Sequence, residues 1–263
     1  MLRPIFWDAA AISDRGRIRA NNEDCVLCDP LRQIYALADG MGGHASGEIA
    51  SRLAIDTAYE YLRRHQATLT TDPAATLQAA IRAANTNVMA RSKRHDLFAG
   101  MGTTLLLATL SAAALDADGS GTTLHYAHVG DSRLYRFRAG RLEQLTHDHT
   151  LAQWWIDIGL YSENEARASS GAHRLTRAIG MDIEPGEDTG RCSVLPDDLF
   201  LLCSDGLTHE LNDAEIAAAC RKARDAHDSA DTLCRRLLEL ANDAGGRDNI
   251  SVLVLQNGAA AAG

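Results

Sequence analysis

Three apolar runs in this chain each lead into a carboxylate. Ile34-Tyr35-Ala36-Leu37-Ala38 leads into Asp39-Gly40, Leu199-Phe200-Leu201-Leu202-Cys203-Ser204 into Asp205-Gly206, and the run that closes at Val129 into Gly130-Asp131. Short apolar runs bounded by turn residues read as buried strands, so the fold must accommodate three acids at strand ends. A fourth, Asp248, stands just ahead of the run from Ile250 to Leu255 and reaches the same edge if that strand is antiparallel to the others. Carboxylates gathered at one edge repel one another and stay ionised at neutral pH only around a cation. The donors are oxygens, with no His or Cys at matched spacing, so Mg2+ or Mn2+ is expected rather than zinc. The glycines after Asp39 and Asp205 are expected to permit sharp turns and to leave a carbonyl open to an ion.

Two amphipathic helices are expected between residues 46 and 95. The first carries Ala50, Leu53, Ala54, Thr57, Ala58 and Tyr61 on one stripe behind Ser46 as N-cap. The second opens with Asp72 as cap and Pro73 at its first position, and buries Leu77, Ala80, Ile81, Ala84 and Val88. Strands are expected at 103–110, 122–129, 132–138, 199–204 and 250–255. Asn212 with Glu215 predicts a capping box, and a longer helix containing Leu233, Leu237 and Leu240 is expected to follow. Strands and helices therefore come in blocks, which favours an α+β layered fold with largely antiparallel sheets. The polar stretch 147–180, with Trp154 and Trp155 open between core and surface roles, reads as a surface flap, and 258–263 as a disordered tail.

A chain of 263 residues fits one large domain. Its net charge of −9 argues against a nucleic-acid partner, because such binding relies on clustered Lys and Arg. The longest apolar stretch, 103–115, is too short to span a bilayer, and Arg3, Pro4 and Asp8 interrupt any signal-peptide core, so no membrane role and a cytoplasmic location are expected. Six scattered cysteines read as reduced thiols. Cys25 and Cys28 form an isolated C-x-x-C, but their odd separation on a strand points them to opposite faces and argues against a shared zinc.

Seven motifs in order make the reading more specific. Arg19-Ala20-Asn21-Asn22-Glu23-Asp24, Asp39-Gly40-Met41-Gly42-Gly43-His44, Gly100-Met101-Gly102-Thr103-Thr104, Val129-Gly130-Asp131-Ser132-Arg133, Leu175-Thr176-Arg177-Ala178-Ile179-Gly180, Ser204-Asp205-Gly206-Leu207 and Gly246-Arg247-Asp248-Asn249 together resemble the bacterial metal-dependent (PPM, type 2C) Ser/Thr protein phosphatases. The resemblance covers roughly residues 8–256. It implies a central β-sandwich of two mainly antiparallel sheets flanked by helices, in four layers. It also implies hydrolysis of phosphoserine and phosphothreonine in proteins by a metal-bridging hydroxide, with Mn2+ or Mg2+ as two ions and a third, weaker one.

By motif match, Asp39 bridges two metals, Asp205 and Asp248 hold the first, and the Gly40 carbonyl helps with the second. Glu23 or Asp24 assists there, and Asp131 with Asp205 resembles the pair for the third ion. Arg19 binds the substrate phosphate through its planar fork of donors. His44 or, equally, a metal-bound water is the candidate acid for the leaving group, because Met41 stands where eukaryotic relatives have a His. His147 and His149 are expected to be structural. The implied partners are phosphoprotein substrates and a cognate Ser/Thr kinase, with the chain a monomer. A binding module without turnover would have lost metal carboxylates, and a phosphodiesterase would carry a basic groove; the sequence fits neither pattern.

Overall fold

The computed structural model describes residues 7–42, 45–94, 96–112 and 121–257. His44 and the expected tail at 258–263 lie outside them. The chain opens with strands β1 (Trp7–Asp14), β2 (Asp24–Asp29) and β3 (Ile34–Met41), followed by helices α1 (Ala45–Arg64), α2 (Gln66–Thr71) and α3 (Pro73–Arg94). Strands β4 (Gly102–Thr103), β5 (Leu105–Ala112), β6 (Thr122–Val129), β7 (Arg133–Arg138) and β8 (Arg141–Gln144) come next. Then come α4 (Leu151–Asp157), α5 (Glu163–Ala168), β9 (Asp188–Ser193), β10 (Leu199–Cys203), α6 (Asp205–Thr208), α7 (Asp213–Ala226), α8 (Ala230–Ala244) and β11 (Ile250–Asn257). Among the described residues, no helix is long and apolar enough to cross a membrane.

Two antiparallel sheets stack face to face. One runs β1-β11-β10-β7-β8 and the other β2-β3-β5-β6-β9, with the short β4 beside β3. The strand period of two sorts the core into layers. In β3, Ile34, Ala36 and Ala38 face helices α1 and α3, while Tyr35 and Leu37 face the other sheet. In β10, Leu199, Leu201 and Cys203 face α7 and α8, while Phe200 and Leu202 point between the sheets. The result is the expected helix, sheet, sheet, helix order. Cys25 packs under the helices and Cys28 between the sheets, as their odd spacing requires. All six cysteines are free thiols.

The helices follow their sequence signals with local corrections. Pro73 begins α3 and the Asp72 carboxylate accepts from Ala75 N–H, while Asn212 and Glu215 form a reciprocal capping box on α7. Ser46 is not an N-cap: it lies inside the first turn of α1, and its hydroxyl donates to the Leu97 carbonyl at 3.0 Å. Leu240 is 40% exposed, because the buried stripe of α8 runs through Leu233, Leu237 and Ala241. The strand expected at 103–110 is split at Thr104, and α2, β8 and β9 add elements that the apolar pattern does not mark.

The inner layer sets the separation of the sheets and hence the geometry at their ends. Phe200 is fully buried there against Trp7, ring centroids 6.4 Å apart. Phe200→Ala is expected to lower the unfolding free energy by about 3–5 kcal/mol, measured by urea titration followed by intrinsic fluorescence; a loss below about 1 kcal/mol would contradict this view of the inter-sheet core.

Candidate functional site

Antiparallel pairing brings opposite strand ends to one edge. β2 begins where β3 ends, so Asp24 pairs directly with Asp39. β10 and β11 are antiparallel, with Cys203 beside Val252, so Asp205 just after one strand meets Asp248 just before the other. The condition attached to Asp248 in the sequence is therefore met. Asp39 and Asp24 share parity with the inter-sheet residues Leu37 and Val26, which aims both carboxylates between the sheets.

A cleft of about 720 Å³ opens at this edge. Its walls include Arg19, Glu23, Asp39, Gly40, Asp131, Asp205 and Asp248. Asp24 lies below this wall, buried, with its Oδ2 accepting from Ser204 Oγ at 2.8 Å. Arg19, 55% exposed at the rim, donates through Nη2 to Asp248 Oδ2 at 2.7 Å.

The backbone around these acids is held from several sides. Asp39 N–H donates to Thr104 Oγ1, and the Asp39 carbonyl accepts from Thr103 Oγ1 and Thr104 N–H, all within 2.9 Å. Asn249 ties the Arg19 loop to β11: its Oδ1 accepts from Glu23 N–H and its Nδ2 donates to the Arg15 and Asn21 carbonyls. Thr104 and Asn249 sit inside quoted motifs, but sequence reasoning gave them no part in the site. Gly40 and Gly206 are needed for close approach rather than for turns. Gly40 lies within β3, and a Cβ there would stand 2.1 Å from the Gly47 carbonyl oxygen. Gly206 lies in α6, and its Cβ would stand 1.9 Å from the Asn249 oxygen.

Burial and crowding set the electrostatics. Burial, and then the charges of Asp24, Asp205 and Asp131, push the Asp39 carboxyl well above the usual range. Asp131 is raised by burial and by Asp205. Asp24 is pushed up to about 7, mainly by burial, against the opposing hydrogen bonds of Ser251 and Ser204. Asp24 Oδ1 and Asp205 Oδ1 are buried without a hydrogen-bond partner. Acids this crowded, with two orphaned oxygens, fit a set of hard-cation ligands.

Two histidines that sequence reasoning did not single out flank the acids. His209 Nδ1 lies 3.6 Å from Asp205 Oδ2, and its Nε2 is 3.1 Å from His173 Nδ1 on the cleft wall. A separate group, His128, His149 and Asp188, presents ligand atoms within 4.8 Å of one another. Gly130 N–H donates to His149 Nδ1, so the ring proton lies on Nε2, toward Asp188 at 3.1 Å. Arg177 Nη1 stands 3.1 Å from both His149 Nε2 and Asp188 Oδ1. A ring nitrogen carrying a proton beside a guanidinium is no metal ligand. His149 instead joins Gly130 to Thr176 through its backbone, at the foot of the excursion that holds α4 and α5. In that excursion Trp154 is 51% exposed, while Trp155 packs edge-on against Tyr161.

Residues 20–249 match the protein phosphatase 2C family. The chain belongs to this family. It is 40% identical over 249 residues to the serine/threonine protein phosphatase PstP of Mycobacterium tuberculosis, covering 93% of this chain and 44% of that protein. The chain thus spans less than half the length of that relative. With the serine/threonine phosphatase stp of Listeria innocua serovar 6a it shares 34% identity over 248 residues, 93% of each. A crystal structure of the catalytic domain of serine/threonine protein phosphatase PstP in complex with two manganese ions superposes with a TM-score of 0.77 at 38% identity, covering 95% of this chain and 97% of that one.

The raised carboxyls give the folded chain a pH signature. Below pH 3.8 Asp24 is protonated whether the chain is folded or not; above about 7 the folded chain must bury its charge while the unfolded chain releases the proton freely. With chelator present, stability is therefore expected to fall as pH rises between those limits. Asp24→Asn keeps an acceptor for Ser204 and should raise the melting temperature of the chelated protein at pH 8 but not at pH 4. Equal effects at both pH values in scanning calorimetry would contradict the assignment.

Proposed function

We propose that this chain removes phosphate from serine and threonine side chains of proteins, using Mn2+ or Mg2+ as two ions and a third held more weakly. The observation that carries this reading is the convergence of Asp39, Asp131, Asp205, Asp248 and Glu23 on one cleft, with a guanidinium at its rim. Asp39, Asp205 and Asp248 would hold the first ion, and Asp39 with the Gly40 carbonyl would hold the second. Glu23, on the wall, suits assistance to the second ion better than Asp24, which lies beneath. Asp131 with Asp205 suits the third. Divalent cations held there would neutralise the acids and would supply a water whose pKa is lowered toward roughly 7.

The chain's own groups do the rest. Arg19 presents parallel N–H donors to the non-bridging phosphate oxygens, a fork that Lys lacks. Its half-exposed pair with Asp248 is worth only about 0–1 kcal/mol, so exchanging that carboxylate for a phosphate dianion costs little. The leaving alkoxide needs a proton. His173 lies on the cleft wall with Nδ1 engaged by His209 Nε2, which leaves its Nε2 as the atom to exchange a proton with the leaving oxygen. His44 stays a second candidate for that role.

The excursion at 147–180 serves as a flap beside this cleft: His173, Arg174 and Leu175 lie on the wall, which supports a part in choosing substrates. The biological reading is that of a monomeric cytoplasmic enzyme opposing a Ser/Thr kinase; what supports it is that relatives of this chain are named serine/threonine phosphatases.

Purified protein with Mn2+ is expected to release phosphate from a phosphothreonine peptide, and EDTA to abolish release. Asp39→Asn is expected to lower kcat by about 1000-fold or more. Arg19→Lys should lower kcat/KM by about 10- to 100-fold. Malachite-green assays check each, and undiminished turnover in EDTA or by Asp39→Asn would refute the reading.

A further inference from the structure

Residues 180–187 join the flap to β9 without regular structure, and one of them, Met181, 55% exposed, lines the cleft wall. Helix α3 carries no cleft residue, yet one of its faces meets this loop at helical spacing. Asn85, 1% exposed, accepts from Gly180 N–H at 2.7 Å through Oδ1. Its Nδ2 donates to the Asp182 and Ile183 carbonyls at 2.7 and 3.1 Å. One turn earlier, Arg82 Nε donates to Glu187 Oε1 at 2.7 Å. Val88, three residues on, touches Gly180, whose φ of +92° and close approach leave no room for a Cβ.

Just before the loop, Ile179 exchanges backbone hydrogen bonds with Thr103, whose hydroxyl donates to the Asp39 carbonyl. The stretch that presents Met181 is therefore fixed at one end to the backbone of a cleft acid and at the other to a single buried amide.

We infer that Asn85 is a positioning residue for substrate: it holds the 180–183 turn, and with it Met181, against the polypeptide that flanks the phosphorylated side chain. This rests on the phosphatase reading of the cleft. A buried primary amide satisfying three backbone groups of an irregular loop does what a strand partner would otherwise do. The clamp acts on the wall beyond the acids, so it bears on a peptide and not on a small phosphate ester.

The test compares wild type, Asn85→Ala and Asn85→Asp, each loaded with Mn2+, on a phosphothreonine peptide and on p-nitrophenyl phosphate, with hydrogen exchange of the backbone amides. Asn85→Asp keeps the acceptor for Gly180 N–H and loses the donor to Asp182 and Ile183. Both variants should raise the peptide KM about tenfold, with kcat and both constants for p-nitrophenyl phosphate within about threefold of wild type. Loop amides should exchange at least about tenfold faster in Asn85→Ala while those of β3, β5 and β10 do not change. The Gly180 amide should stay protected in Asn85→Asp. An unchanged peptide KM despite faster loop exchange, or an equal loss on both substrates, would overturn the inference. Should wild type hydrolyse neither substrate, the phosphatase reading fails while loop exchange still tests the clamp.

Discussion

Repulsion among aspartates held together at one end of the sandwich is the constraint on which the rest depends. Asp24, Asp39 and Asp131 are buried or walled in with carboxyls raised above their ordinary range, and Asp205 and Asp248 crowd the same cleft. Such an arrangement is unfavourable for an isolated chain, because ionised carboxylates without partners strongly disfavour burial. Two sheets packed through Tyr35, Leu37, Phe200 and Leu202 supply the opposing free energy. The price is then recovered when divalent cations bind, which couples metal affinity to stability.

Precision comes from the backbone rather than from the acids. Thr103 and Thr104 grip Asp39 from β4 and the residue beyond it, and Asn249 fastens the Arg19 loop to the start of β11. Gly40 and Gly206 bring neighbouring carbonyls closer than any side chain permits. On the proposed function, groups fixed in this way need little rearrangement as charge develops on a phosphoryl group, which is where preorganised sites gain most. The same logic extends along the wall, where α3 holds the loop after Gly180 through Asn85.

Much of this architecture was legible in the sequence because it is periodic. The continuous apolar runs of β3 and β10 predict a sheet buried on both faces, and the Asp-Gly that follows each run predicts where the acids gather. The Cys25 and Cys28 parity, the Pro73 helix start and the Asn212 capping box are local signals of the same kind. Other features left no local trace. β9 reads Asp188-Thr189-Gly190-Arg191-Cys192-Ser193, a half-polar edge strand without clean alternation. Ser204 meets Asp24 across 180 residues and Asn249 meets Glu23 across 226, and no spacing rule records such pairs. Ser46 misled because a serine ahead of an apolar stripe looks like a cap whether or not the helix has already begun. The glycines were marked correctly for a mistaken reason: close packing, not turn geometry, requires them.

The central claim is that these acids form one cation-binding centre. Anomalous diffraction from crystals soaked in Mn2+ tests it directly. The account predicts peaks within the cleft, one bridged by Asp39 and bounded by Asp205 and Asp248, the next against the Gly40 carbonyl. A cleft free of anomalous signal at saturating Mn2+, or carboxylates turned away from one another, would contradict it.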